Sequence, residues 1–144
     1  MSFYLPQFKQ LIYDTLKDHG LFSVSAVNLL LGTCAQESHF GRYLRQRGTG
    51  PALGVFQIEP NTYNWLREKY GKKYNFTNIP AKNLIHDLKL SILVCRLKYY
   101  SIPEPLPNYW DISALAGYWK KYYNSFLGSG KVSEFVENYN KYVS

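Results

Sequence analysis

Glu37 is the residue whose type and position point most directly to chemistry. It falls near the end of an apolar helical pattern, where a seven-residue step returns to within ~20° of its starting direction. Leu30 therefore lies almost directly beneath it, with Ala26 and Cys34 on the same side. A leucine would complete that stripe. A carboxylate there is withdrawn from water, which favours the neutral acid, and the negative end of the helix dipole acts in the same direction. An acid that keeps its proton near neutral pH can protonate a glycosidic oxygen. The position also suits a half-buried glutamate paired with Arg42 or Arg45, and placement alone leaves both readings open.

Other reactive side chains carry less. Cys34 and Cys95 both lie in apolar helical patterns and read as buried free thiols, because no framework of spaced cysteines surrounds them. His19, His39 and His86 show no metal-ligand spacing with the cysteines or with each other. The expectation is no metal site and no cofactor.

The elements that must position Glu37 read as mostly helical. A first helix spans about 6–19, opened by Pro6, striped by Phe8, Leu11, Ile12 and Leu16, and ended by Gly20. A second, capped by Ser23 or Ser25, runs to about Phe40 with Gly41 as terminator. Residues 42–53 form a loop, and 54–58 (GVFQI) a short strand or extended piece. Pro60 starts a helix to Tyr70, closed by Gly71, and a longer one covers about 82–100. Three prolines in 101–110 make a rigid connector. Asp111 caps the next helix, with Ile112, Leu115, Trp119, Tyr122 and Phe126 on one face. Residues 127–131 turn, and Val132, Phe135, Val136 and Tyr139 mark a last helix. The predicted fold class is mainly α: a helical bundle with a small extended or β element, in a single domain over 1–144.

The chain is 46% hydrophobic, enough for a packed core rather than a disordered segment. Its 14 Tyr, 8 Phe and 3 Trp suit either core packing or a groove lined with flat faces and phenolic hydroxyls. A net charge of +7 draws it to anionic polymers. Apart from Arg42, Arg45 and Arg47 the basic residues are scattered, so no nucleic-acid-binding stripe is visible and no nucleic-acid partner is expected. No apolar run reaches the ~18 residues of a membrane span, so stable membrane insertion is not expected. The opening MSFYLPQFKQ lacks the apolar core of a signal peptide, and synthesis in the cytoplasm without a classical export signal is expected.

Residues 35–41, AQESHFG, resemble the end of the catalytic helix in lytic transglycosylases and goose-type lysozymes, where a Glu is followed by Ser, a variable residue and an aromatic. Beyond a loop, GVFQI at 54–58 is similar to that family's Gly-Leu-Met-Gln-Ile motif and keeps its Gly, Gln and Ile. The third motif, Ala-Tyr-Asn followed by glycine, has two possible matches: Ala116 and Tyr118 with Trp119 in place of Asn, or Tyr123-Asn124 followed by Gly128. These tyrosines could equally be core aromatics. The resemblance spans roughly 23–130 and implies a lysozyme-like fold with the extended element at the substrate cleft.

It also implies roles. Glu37 would be the catalytic acid/base, with Ser38 bonding near it or to substrate, or simply closing the helix. Gln57 would bind sugar polar groups and Gly54 would let backbone approach closely. Tyr123 or Tyr118, with Asn124, would flank the N-acetyl group or the catalytic carboxyl. The implied partner is a peptidoglycan glycan strand, cut between N-acetylmuramic acid and N-acetylglucosamine. Most glycosidases need two carboxyl groups across the bond, yet no Asp or Glu lies between Ser38 and Ile58; the first acid beyond is Glu59. That favours transglycosylation, in which the sugar's own C6 hydroxyl is the nucleophile and a 1,6-anhydro product forms. Hydrolysis with Glu59 as second carboxylate, and a non-catalytic glycan-binding virion protein, are the alternatives. A small basic wall-cleaving enzyme without an export signal suggests a bacteriophage endolysin or virion component. It would act as a monomer or within a virion, on the cell wall after release.

Overall fold

A computed structural model describes residues 2–124 and 128–144. Helix α1 (Leu5–Asp18) carries Pro6 in its first turn and buries Phe8, Ile12 and Leu16 on one stripe. Helix α2 (Val24–Ser38) is the hub. Apolar on nearly every side, it packs against α1 and, further along the chain, against α4 (Leu88–Tyr100), α5 (Ile112–Trp119) and α6 (Val132–Tyr142). Helix α3 (Pro60–Tyr74) packs on α4. Buried residues from all six helices merge into one core, with Trp119, Tyr63, Tyr99 and Phe40 among its largest members. The described residues are mainly helical, as expected.

Several predicted boundaries move, each for a local reason. Helix α2 stops at Ser38 rather than Phe40, because His39, Phe40 and Gly41 take left-handed backbone angles one after another. Two of these are not glycine, a costly arrangement. The return is that the Phe40 ring swings into the core, edge-on to Phe8 and stacked on Tyr142. Helix α3 passes through Gly71 and ends instead at left-handed Asn75, with the amide of Phe76 donating to the Gly71 carbonyl. The helix expected over 82–100 is split: Ala81–Ile85 form a 3-10 turn, and Asp87 caps a new helix by accepting from the Leu90 amide at 3.0 Å. An aspartate inside an apolar run competes for backbone amides, and here it starts a helix rather than riding through one.

Residues 54–58 are not a strand. They form a tight turn in which the Gln57 amide donates to the Gly54 carbonyl at 3.0 Å and both residues have positive φ. Two isolated antiparallel bridges, Arg45 to Leu53 and Leu53 to Ile58, are the β structure among the described residues. Helix α5 continues into a π-helical turn, Lys120–Asn124. Phe126, expected on the α5 stripe, and the first residue of the 127–131 turn lie outside the described residues. Cys34 and Cys95 are free and buried.

Candidate active site

The end of α2, the 54–58 turn and the π-helical turn after α5 converge on a cleft of about 610 Å³. Glu37, Gln57, Tyr123 and Asn124 line it together, with Lys98, Glu59, Arg47 and Gly128. Residues as far apart in sequence as Glu37 and Gly128 thus meet at one surface depression, the ordinary setting of a small-molecule or polymer site.

Glu37 is half-buried at the last turn of α2. Its Oε2 accepts a hydrogen bond from Trp119 Nε1 at 2.9 Å. Burial dominates its titration and pushes the carboxyl up to about 7, while the Trp119 hydrogen bond and the charge of Lys98 pull the other way. The carboxyl is therefore held by an indole rather than by Arg42 or Arg45, and it carries its proton over a much wider range than an ordinary glutamate. Proton donation and later proton removal are both within reach of such a group near neutral pH.

Lys98 lines the same cleft. Its Nζ donates to the Tyr123 carbonyl at 3.2 Å and sits 3.7 Å from the centroid of the Tyr123 ring. Burial lowers its pKa, and Cys95, Glu37 and Glu59 oppose that shift in part, so this ammonium feels both cleft carboxylates. Tyr123 is in turn pinned: its hydroxyl donates to the Phe56 carbonyl at 2.6 Å, and its ring stacks on Tyr99 at 5.1 Å. Tyr99 shares a 2.7 Å hydrogen bond with Thr33 of α2. The turn bearing Gln57 is thereby tied through Tyr123 and Tyr99 to the helix bearing Glu37. Gln57 itself donates through Nε2 to the Gly54 carbonyl at 2.8 Å, which aligns its amide along the cleft wall.

Three of the predicted site residues stand elsewhere. Ser38 is fully buried; its hydroxyl donates to the Cys34 carbonyl at 3.1 Å and accepts from the Gly41 amide at 2.9 Å. It closes the helix and has no surface on the cleft. Gly54 does permit a close backbone approach, but to protein: a Cβ there would stand 2.3 Å from the Leu84 carbonyl oxygen. Tyr118 donates to the Glu104 carbonyl at 2.9 Å and packs against Tyr99 and Tyr122, away from the cleft. Of the two possible third motifs, Tyr123, Asn124 and Gly128 are the residues at the cleft. Asn124 accepts from Lys120 Nζ at 2.8 Å, and Lys120 also donates to the Gly128 carbonyl at 2.9 Å.

Sequence reasoning missed Trp119 as the partner of Glu37, and missed Lys98 altogether. A charged residue in the apolar run ILVCRLKYY is the same kind of signal that singled out Glu37. It is ambiguous, because Arg96 two positions earlier gives the same signal and turns out to be structural, donating to the Leu21 carbonyl at 3.0 Å.

Among the described residues no group of three or more His, Cys, Asp and Glu side chains comes together to hold a metal ion, and no helix is long and apolar enough to cross a membrane. No protein-family model matches the chain, and neither a curated protein nor a solved structure does.

Proposed function

We propose that the chain cleaves peptidoglycan glycan strands as a lytic transglycosylase, with Glu37 as its one acid/base and a lysozyme-like arrangement of helices around it. One observation carries this reading: a carboxyl pushed up to about 7 opens into the cleft that Gln57, Tyr123 and Asn124 also line. Protonated Glu37 donates to the oxygen between N-acetylmuramic acid and N-acetylglucosamine as the C1–O bond breaks. The N-acetyl group can stabilise the positive charge at the anomeric carbon. Ionised Glu37, steadied by Trp119 and Lys98, then takes the proton of the muramyl C6 hydroxyl as that oxygen closes onto C1. The proton released in the second step replaces the one given in the first, and no cofactor enters.

Glu59 favours a second reading. It is exposed and lines the same cleft, so it could activate a water and make the enzyme a hydrolase. Mass spectrometry of digested wall separates the two. Anhydromuropeptides, undiminished in Glu59→Gln, are the expected result. Reducing ends lost with that substitution would establish the hydrolase, and full lysis by Glu37→Gln would overturn both.

A further inference from the structure

A second pocket of about 320 Å³ opens beside the cleft and shares Arg47 and Ser129 with it. Glu37 and Gln36 are consecutive, yet Glu37 faces the cleft and Gln36 faces this side pocket, so the end of α2 is the wall between them. The opposite wall is α6, which presents Glu134, Glu137 and Asn138. The floor is built rather than incidental. Gln36 accepts from Asn138 Nδ2 at 2.7 Å, and α6 lies so close to α2 that a Cβ on Gly32 would meet the Phe135 ring at 2.3 Å.

The charges are sorted. Two carboxylates stand on α6, Glu137 and Glu134, the second of which also accepts from the Lys131 amide at 2.8 Å, in a chain with 17 Lys and Arg against 10 Asp and Glu. Arg47 stands at the junction with the cleft, its guanidinium 4.5 Å from the centroid of the Tyr43 ring. His39, edge-on to the same ring, completes that side; burial and the cations Arg47, Lys141 and Arg42 all lower its pKa and favour the neutral ring. A ligand fitting this pocket brings an ammonium to α6 and a carboxylate to Arg47.

We infer that the side pocket binds the ammonium-and-carboxylate end of a diamino acid in the peptide stem of peptidoglycan. The inference rests on the proposed reading of the cleft, and the chemistry of that substrate explains the placement. The stem hangs from the lactyl group of the muramyl sugar whose glycosidic bond is cut, so it must leave the cleft close to Glu37.

Binding and turnover test this separately. A free stem peptide ending in a diamino acid, titrated into the Glu37→Gln protein, should shift the amide resonances of Gln36, Glu137 and Asn138, and its N-acetylated form should not. In turnover, Glu137→Gln should raise KM about fivefold for peptide-bearing strands relative to the same strands stripped of peptide, the scale of one exposed charge pair. An equal change on both strands, or peptide shifts confined to the cleft residues or absent at millimolar concentration, would overturn the pocket. Lack of cleavage by the wild type would defeat the transglycosylase reading alone, because the titration needs no activity.

Discussion

Trp119 and Glu37, 82 positions apart in sequence, meet in one hydrogen bond: the indole Nε1 donates to the carboxyl Oε2 at 2.9 Å. Trp119 is fully buried and packs against Phe135 of α6, so the donor is set by the core rather than by solvent. The carboxyl is thus placed by the same packing that withdraws it from water.

Replacing the indole tests that coupling. Trp119 favours the ionised carboxyl, so Trp119→Phe should move the basic limb of the pH–rate profile upward from about 7. Loss of orientation should lower kcat at the optimum by about tenfold or more. A profile that kept its basic limb while only stability fell would leave Trp119 a core residue and nothing else.

Glu37 itself should be a burden on stability at alkaline pH. Folding raises its pKa from 4.5 to about 7, so its contribution is complete below about 4.5 and is lost as pH rises through about 7. Glu37→Gln removes that loss. In urea melts the variant should be more stable than wild type by about 3 kcal/mol at pH 8, with no such gain at pH 4. Turnover should fall by at least about a hundredfold. Equal midpoints at pH 8 would mean the carboxyl is solvated in the folded state.

Tyr123→Phe deletes the donor to the Phe56 carbonyl and leaves a buried acceptor unpaired. A cost of about 1–3 kcal/mol is expected in chemical denaturation. KM should rise with it, because the turn that presents Gln57 loses its tie to Tyr99 and α2. Unaltered KM in a destabilised protein would separate Gln57 from substrate binding.

Ser38→Ala separates what the motif implies from what the geometry allows. The hydroxyl satisfies the Gly41 amide and reaches no cleft surface. Stability should drop by about 1 kcal/mol, with kcat per folded molecule preserved. A fall in kcat at full folding would return Ser38 to the reaction.

Local pattern determined much of this molecule. The stripe through Leu30 and Cys34, the cap Asp111 and the opening Pro6 are one-dimensional signals read within a few residues, and the helices follow them; of the two serines that could cap α2, the structure uses Ser23. Glu37 stood out for the same reason, as a carboxyl where the period calls for leucine. Tertiary packing decided the rest. The GVFQI segment became a turn because Gly54 and Gln57 take positive φ beneath Leu84, a contact no periodicity encodes. Tyr118 and Tyr123 are alike in sequence, yet Tyr118 on α5 donates to the Glu104 carbonyl while Tyr123, in the π-helical turn that follows, lines the cleft. Arg96 and Lys98 break the same apolar run, yet one caps a core carbonyl and the other lines the cleft with Glu37. A side chain's chemistry is written in its type, but its partner is set by whatever distant segment the core brings against it.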